Sequence, residues 1–487
     1  MYNSAMWIWI VLLLIAYVPA RAADCESLAR LVLPHASISR AELVPAGTFT
    51  PPYRQPIANM PAFCRVAVTS KPTPDSHIEI ELWLPQSGWN GRFEGTGNGG
   101  FAGRISYGAL ASGVRAGYAV ANTDMGMATP PGRDASAFIG HPDIWADWGY
   151  RSTHEMTALS KQIVASFYGK APERSYFTGC STGGEQALME AQRFPADYDG
   201  IVAGAPANNR TGVHLNILWN FVTAQRAPIP KSKLAMLGQA SVQACHGIDG
   251  VIADPSKCHF DPAILQCTGA DADSCLTAAQ VETARQLYQG PVNPRTHAQV
   301  YPGLTHGSEF GWDQLAPNPE PPFAPIFKWV FGADWNWRSF DFDRAANTYE
   351  SKLAPTLNAT DPKLDEFRKL GHKLVVYHGW ADWLVAPGES LTYRRNVAAA
   401  NPDLDSFYRL FMIPGMAHCS GGPGEDRIDL LTAAIDWVEH GNAPAKLVAS
   451  KAKPATSTRL ICPYPQTAKY RGAGDLRDAA NYSCSAE

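Results

Sequence analysis

Arg174-Ser-Tyr-Phe-Thr-Gly-Cys-Ser-Thr-Gly-Gly-Glu185 decides the fold. Tyr176, Phe177 and Thr178 form a short apolar run of the kind a buried strand shows. Gly179-Cys-Ser-Thr-Gly183 then fits G-x-S-x-G, and Ala187, Leu188 and Ala191 follow at helical spacing. Strand, sharp turn and helix are the setting of a nucleophile elbow, which lifts a serine hydroxyl clear of the sheet. Glycine permits the tight turn because it has no Cβ. Ser181 is therefore the candidate nucleophile. A glycine-rich turn with an ordinary serine would read the same, so the assignment needs partners elsewhere in the chain.

Two later stretches supply them. Lys373-Leu-Val-Val-Tyr377 reads as a strand and runs into His378-Gly-Trp-Ala-Asp382. Tyr408-Arg-Leu-Phe-Met-Ile413 reads as the next strand and runs into Pro414-Gly-Met-Ala-His-Cys-Ser-Gly-Gly422. Asp382 and His418 both fall just past a strand end, and the order Ser181, Asp382, His418 is that of an α/β-hydrolase sheet. The chemistry follows from the residue types. A serine hydroxyl is a weak nucleophile until a base takes its proton, and His418 would do so and later return it to the leaving alcohol. Asp382 would hold the imidazole tautomer and stabilise the imidazolium. Asp436 competes as the orienter but falls in a helix read from Asp426 to His440. His372 and His378 compete as bases but precede Asp382 too closely for this order. His154, in a helix-like stretch from Asp147 to Phe167, reads as a structural histidine; no second histidine follows four residues on, so a zincin site is excluded.

Gly95-Thr-Gly-Asn-Gly-Gly100 matches G-x-G-x-x-G, the dinucleotide fingerprint, with Asp124 downstream. The stretch that should form the fingerprint helix, Phe101 to Gly113, is interrupted by Gly103, Gly108 and Gly113. The better reading is a glycine-rich loop after an early strand, at the place where hydrolases of this sheet type carry an oxyanion donor. The amides of Gly99, Gly100 and Thr182 are the candidate oxyanion hole.

The chain has 487 residues and a formal net charge of −4, with no basic run of note. That balance gives no footprint for nucleic acid or an anionic membrane. Trp7 to Val18 is an apolar run too short to span a bilayer comfortably, and Ala20-Arg-Ala22 fits a small-x-small cleavage site. Residues 1–22 are read as an export signal, although no Lys or Arg precedes the run, so the mature protein is expected to be secreted or periplasmic and free of the membrane. The even number of cysteines, ten, suits disulfides in such a compartment, and no zinc-type spacing appears.

His77–Leu84, Gly117–Asp124 and Gly200–Pro206 read as further strands. The expected organisation is a catalytic α/β-hydrolase domain in two parts, 23–207 and 371–487, with a lid domain, 208–370, inserted between them. In the lid, strand signals fade and aromatics crowd the stretch from Phe310 to Trp337, mostly as its core. Cys180 precedes Ser181 and Cys419 follows His418. If the triad forms, the two thiols meet, and their disulfide closes a loop of about 240 residues, worth roughly 5 kcal/mol on chain entropy. The other pairings stay open on spacing alone.

Together, Gly179-Cys-Ser-Thr-Gly-Gly184, Gly379-Trp-Ala-Asp382, Gly415-Met-Ala-His-Cys-Ser-Gly-Gly422, Gly97-Asn-Gly-Gly-Phe-Ala-Gly103 and Ala203-Gly-Ala-Pro-Ala207 give the chain its resemblance to the tannase and feruloyl esterase family. The resemblance implies an α/β-hydrolase fold with a lid, and Cys180-Ser181, Asp382 and His418-Cys419 as the catalytic arrangement. It further implies disulfides Cys25–Cys64, Cys245–Cys258, Cys267–Cys275 and Cys462–Cys484. The substrate it implies is a small ester of an aromatic acid, feruloyl or galloyl, with terephthalate-type esters as the alternative. No cofactor is needed for that chemistry. The family's lid carries a calcium loop between two cysteines; here Cys245–Cys258 looks shortened, with His246 where an aspartate is usual and only Asp249 and Asp254 left, so calcium is doubtful. A non-catalytic binding protein on the same fold would have lost a triad member, and none is lost.

Overall fold

The computed structural model describes residues 24–52, 54–101, 103–127, 138–451 and 457–486; the expected export signal lies outside them. Nine strands form one sheet: β1 (Ala36–Val44), β2 (Phe63–Ser70), β3 (Ile78–Pro85), β4 (Arg92–Thr96), β5 (Ala119–Thr123), β6 (Arg174–Cys180), β7 (Gly200–Gly204), β8 (Lys373–Gly379) and β9 (Tyr408–Ile413). Their spatial order is β1-β2-β3-β5-β4-β6-β7-β8-β9. The first four in that order pair antiparallel, and from β5 onward every neighbour is parallel. Parallel strands need cover on both faces, so β5, β7 and most of β8 are buried at nearly every position, as their Val, Ile and Ala content allows. The first core buries Leu82, Phe93, Phe177, Ile201, Leu374 and Leu410 on one face, against Met156, Leu159 and Ile163 of helix α2 (Ser152–Tyr168). This is an α/β-hydrolase fold.

Helix α1 (Tyr107–Arg115) corrects the reading of Phe101–Gly113 as a broken stretch. Gly113 is in the helix because a Cβ there would lie 2.7 Å from a Val120 methyl; its absence lets α1 press onto β5. The stretch from Asp147 begins as a π-turn, Asp147–Arg151, before α2. The last helix of the sheet starts at Leu430 rather than Asp426, because the Asp429 carboxylate caps it by accepting from the Thr432 amide at 3.0 Å.

Among the described residues, no strand of the large sheet comes from between β7 and β8. That inserted part is helical and forms the lid. Its aromatics pack on one another, Phe327 stacking on Trp335 and Tyr349, and they reach the first part of the chain, where Trp145 lies parallel to Trp329 at 5.6 Å. No helix among the described residues is long and apolar enough to cross a membrane.

Candidate active site

Ser181 sits between β6 and helix α3 (Thr182–Arg193), with φ 64° and ψ −118°. A serine held there is strained, as a nucleophile elbow requires. Three glycines make the turn possible. A Cβ on Gly179 would lie 2.4 Å from the Gly183 carbonyl, and one on Gly97 would lie 2.5 Å from the Gly183 Cα. The loop after β4 therefore crosses the start of α3 backbone to backbone.

Asn98 fastens that crossing. Its carbonyl accepts from the Gly183 amide at 2.8 Å, its amide donates to Gln186 Oε1 at 2.8 Å, and its side chain donates to the Thr123 carbonyl at 2.7 Å. The Thr182 hydroxyl donates to the Gly100 carbonyl at 2.7 Å. Gly99 and Gly100 are exposed above the turn, and Thr182 is the first residue of α3, where an amide has no helical partner. Thr182 and Gly100, two of the three residues read as oxyanion donors, are thus in contact. Asn98 and Gln186 were missed in the sequence; a lone amide side chain carries no periodic signal.

Asp382 follows the end of β8 and is fully buried. Its Oδ1 accepts from the Leu384 and Val385 amides at 2.8 and 3.0 Å, and its Oδ2 meets His418 Nδ1 at 2.7 Å. Burial alone would raise the carboxyl pKa; the charge of His418 and the hydrogen bonds from His378 and His418 overturn it and hold the group well below the ordinary value. Burial likewise favours neutral His418, and the Asp382 charge and hydrogen bond win, so its pKa lies above the ordinary 6.5. His418 is reached through the turn after β9, where Cys419 adopts φ 64°.

The Cys180–Cys419 disulfide joins the residue before Ser181 to the residue after His418, with Cα atoms 5.9 Å apart. Among the described residues no hydrogen bond joins the Ser181 hydroxyl to His418, and the disulfide links the two turns covalently. The other four bridges are Cys25–Cys64, Cys245–Cys258, Cys267–Cys275 and Cys462–Cys484, as the resemblance implied.

Of the candidates set aside, His378 lies beside Asp382, with Nε2 3.2 Å from Oδ2, and the others lie elsewhere. Asp436 pairs with His440 on an exposed helix face, and His372 contacts the Pro195 carbonyl. His154 stacks on Phe194 and meets Asp197 Oδ2 at 2.7 Å. With buried Glu190 these two form a group of three ligating side chains, but Lys161, hydrogen-bonded to the Asp197 carbonyl, already brings a positive charge to it. In the 245–258 loop, Asp254 accepts from the Ser256 amide and hydroxyl at 3.1 and 2.6 Å and faces Lys257 Nζ at 3.8 Å. The loop thus offers two carboxylates, Asp254 and Asp249, toward a cation that takes 6–8 oxygens.

Sheet order, elbow and buried Asp–His pair define a hydrolase of the α/β-hydrolase fold with a lid. The tannase and feruloyl esterase family model matches residues 64–319 and 330–485, and the chain belongs to that family of carboxylic ester hydrolases. It is 37% identical to an uncharacterized esterase of Xanthomonas campestris, over 95% of this chain and 91% of that one. It is 31% identical to the mono(2-hydroxyethyl) terephthalate hydrolase of Piscinibacter sakaiensis, over 88% and 86%. The crystal structure of feruloyl esterase B from Aspergillus oryzae superposes with a TM-score of 0.86 at 29% identity, covering 95% of this chain and 99% of that one.

Proposed function

We propose that the protein is an exported serine esterase that hydrolyses esters of aromatic acids, feruloyl or galloyl, through an acyl-Ser181 intermediate. One observation carries the reading: the Asp382–His418 pair is covalently tied, through Cys419–Cys180, to the strained turn that presents Ser181. His418 Nε2 takes the hydroxyl proton as Oγ attacks the ester carbonyl carbon. The oxyanion that forms is met by the Thr182 amide and by an amide of Gly99 or Gly100. The intermediate collapses, the alcohol leaves with the proton from His418, and water repeats the sequence on the acyl-enzyme. No step runs through a metal.

The aromatic acid is favoured by Phe101, which follows Gly100 and packs against Trp148 and Trp329 at 5.4 and 6.0 Å. The lid's aromatic cluster thus reaches the oxyanion loop. Five disulfides support an oxidising compartment. The terephthalate ester is the second reading, on the relative that hydrolyses it.

A steady-state panel tests both: methyl ferulate, methyl gallate, mono(2-hydroxyethyl) terephthalate and p-nitrophenyl acetate, each with and without Ser181→Ala. Turnover of one aromatic ester well above acetate, lost in the variant, is the expected result. Turnover that survives Ser181→Ala removes the serine from the reaction.

A further inference from the structure

Asp382 Oδ2 serves two imidazoles. Besides His418, it meets Nε2 of His378 at 3.2 Å. The same Nε2 lies 3.0 Å from the Val385 carbonyl. A ring nitrogen placed between a carboxylate and a carbonyl must carry the hydrogen, since both partners only accept. Nδ1 faces the Ser390 hydroxyl at 2.8 Å. Ser390 belongs to helix α4 (Gly388–Ala400), and its hydroxyl can serve Nδ1 as donor or acceptor, so the Nε2 hydrogen is fixed by Asp382 and Val385. His378 and Asp382 are fully buried and Ser390 is 1% exposed.

Resting on the serine-esterase reading, we propose that His378 is a positioning residue: its Nε2–H fixes the Asp382 oxygen that orients His418. The backbone amides of Leu384 and Val385 pin Oδ1 alone. Oδ2 is held by the His378 donor from a side other than that of the base, His418, and the second bond of that donor ties Val385, at the end of the 382–385 turn, to the same ring. His378 sits four residues before Asp382, too close to serve as the triad's base in this order, and its value to the reaction is geometric.

Two isosteric changes separate this role from packing. The amide of glutamine reaches the place of histidine Nε2 and can donate there. Asparagine reaches only the Nδ1 side, where it can accept from Ser390 but offers Asp382 nothing. His378→Gln is expected to keep kcat within about threefold of the parent, and His378→Asn to lose about tenfold to a hundredfold in kcat, the scale of a misplaced catalytic group. KM should be unchanged in both, because neither touches substrate. Equal kcat in the two variants overturns the proposal. His378→Met, which fills much the same space as glutamine without a donor, serves if His378→Asn does not fold. A tenfold or greater drop in kcat supports the proposal, and a kcat equal to that of His378→Gln overturns it. Ser181→Ala is assayed alongside. Survival of turnover there fails the esterase reading itself, whereas a dead Ser181→Ala with equal His378 variants fails this inference only.

Discussion

At the residue scale the site turns on four donors around one carboxylate. Two amides and two imidazoles keep Asp382 charged in a dry position, where an unpaired carboxylate would be protonated. The two shifts both stabilise the fold, with opposite dependence on pH. Asp382, depressed in the folded state, contributes above the ordinary 3.8 and its contribution is lost as pH falls below it. His418, raised, contributes fully below 6.5 and its contribution is lost as pH rises through its folded value. Activity runs the other way, because only the neutral imidazole accepts the serine proton. The pH profile of kcat/KM is expected to rise through a single step above 6.5. Asp382→Asn should move that step down and lower kcat by about 10⁴-fold, the scale of the matching change in serine proteases. A step that stays in place would separate Asp382 from the base.

Glycine placement governs the next scale, that of the element. Helix α3 lies against β7 so closely that a Cβ on Gly184 would fall 2.3 Å from the Gly204 carbonyl and 2.8 Å from the Pro206 Cα. Backbone cannot yield as a flexible side chain does. Gly184→Ala is expected to cost about 1–3 kcal/mol in urea unfolding, the range for overpacked cores. An unchanged midpoint would mean that α3 is free to shift. Gly311 does the same for the lid: a Cβ there would lie 2.0 Å from Trp383, the residue after Asp382. Gly311→Ala should therefore lower kcat, measured on the panel substrates, through Trp383. Unaltered kinetics would show that the lid contact does not reach Asp382.

At the scale of the whole molecule, the Cys180–Cys419 bridge spans 239 residues, including the entire lid. By loop closure, Cys180→Ala with Cys419→Ala is expected to cost about 5 kcal/mol and a large drop in melting temperature. It should also lower kcat, since the disulfide is the link between the two turns. Thermal melts and turnover of the double variant check both, and retained turnover at low temperature would assign the bridge to stability alone.

The strands, the elbow and the order Ser181, Asp382, His418 were legible because each is a local pattern: an apolar run, a glycine turn, a polar residue past a strand end. Local patterns survive in sequence because neighbours along the chain enforce them. Helix α1 was misread for the opposite reason. Gly108 and Gly113 look like breakers, and Gly113 is explained only by Val120 across the interface. His378 was read as a rival base; its bond to Asp382 depends on how the chain turns back after the strand to bring Asp382 and the Val385 carbonyl onto one ring nitrogen. Asn98 meets Gln186 across 88 positions of chain, and no spacing rule reaches that far. The sequence determined which groups could do the chemistry. The tertiary structure decided how each is held, because orientation, burial and protonation are set by groups brought together only on folding.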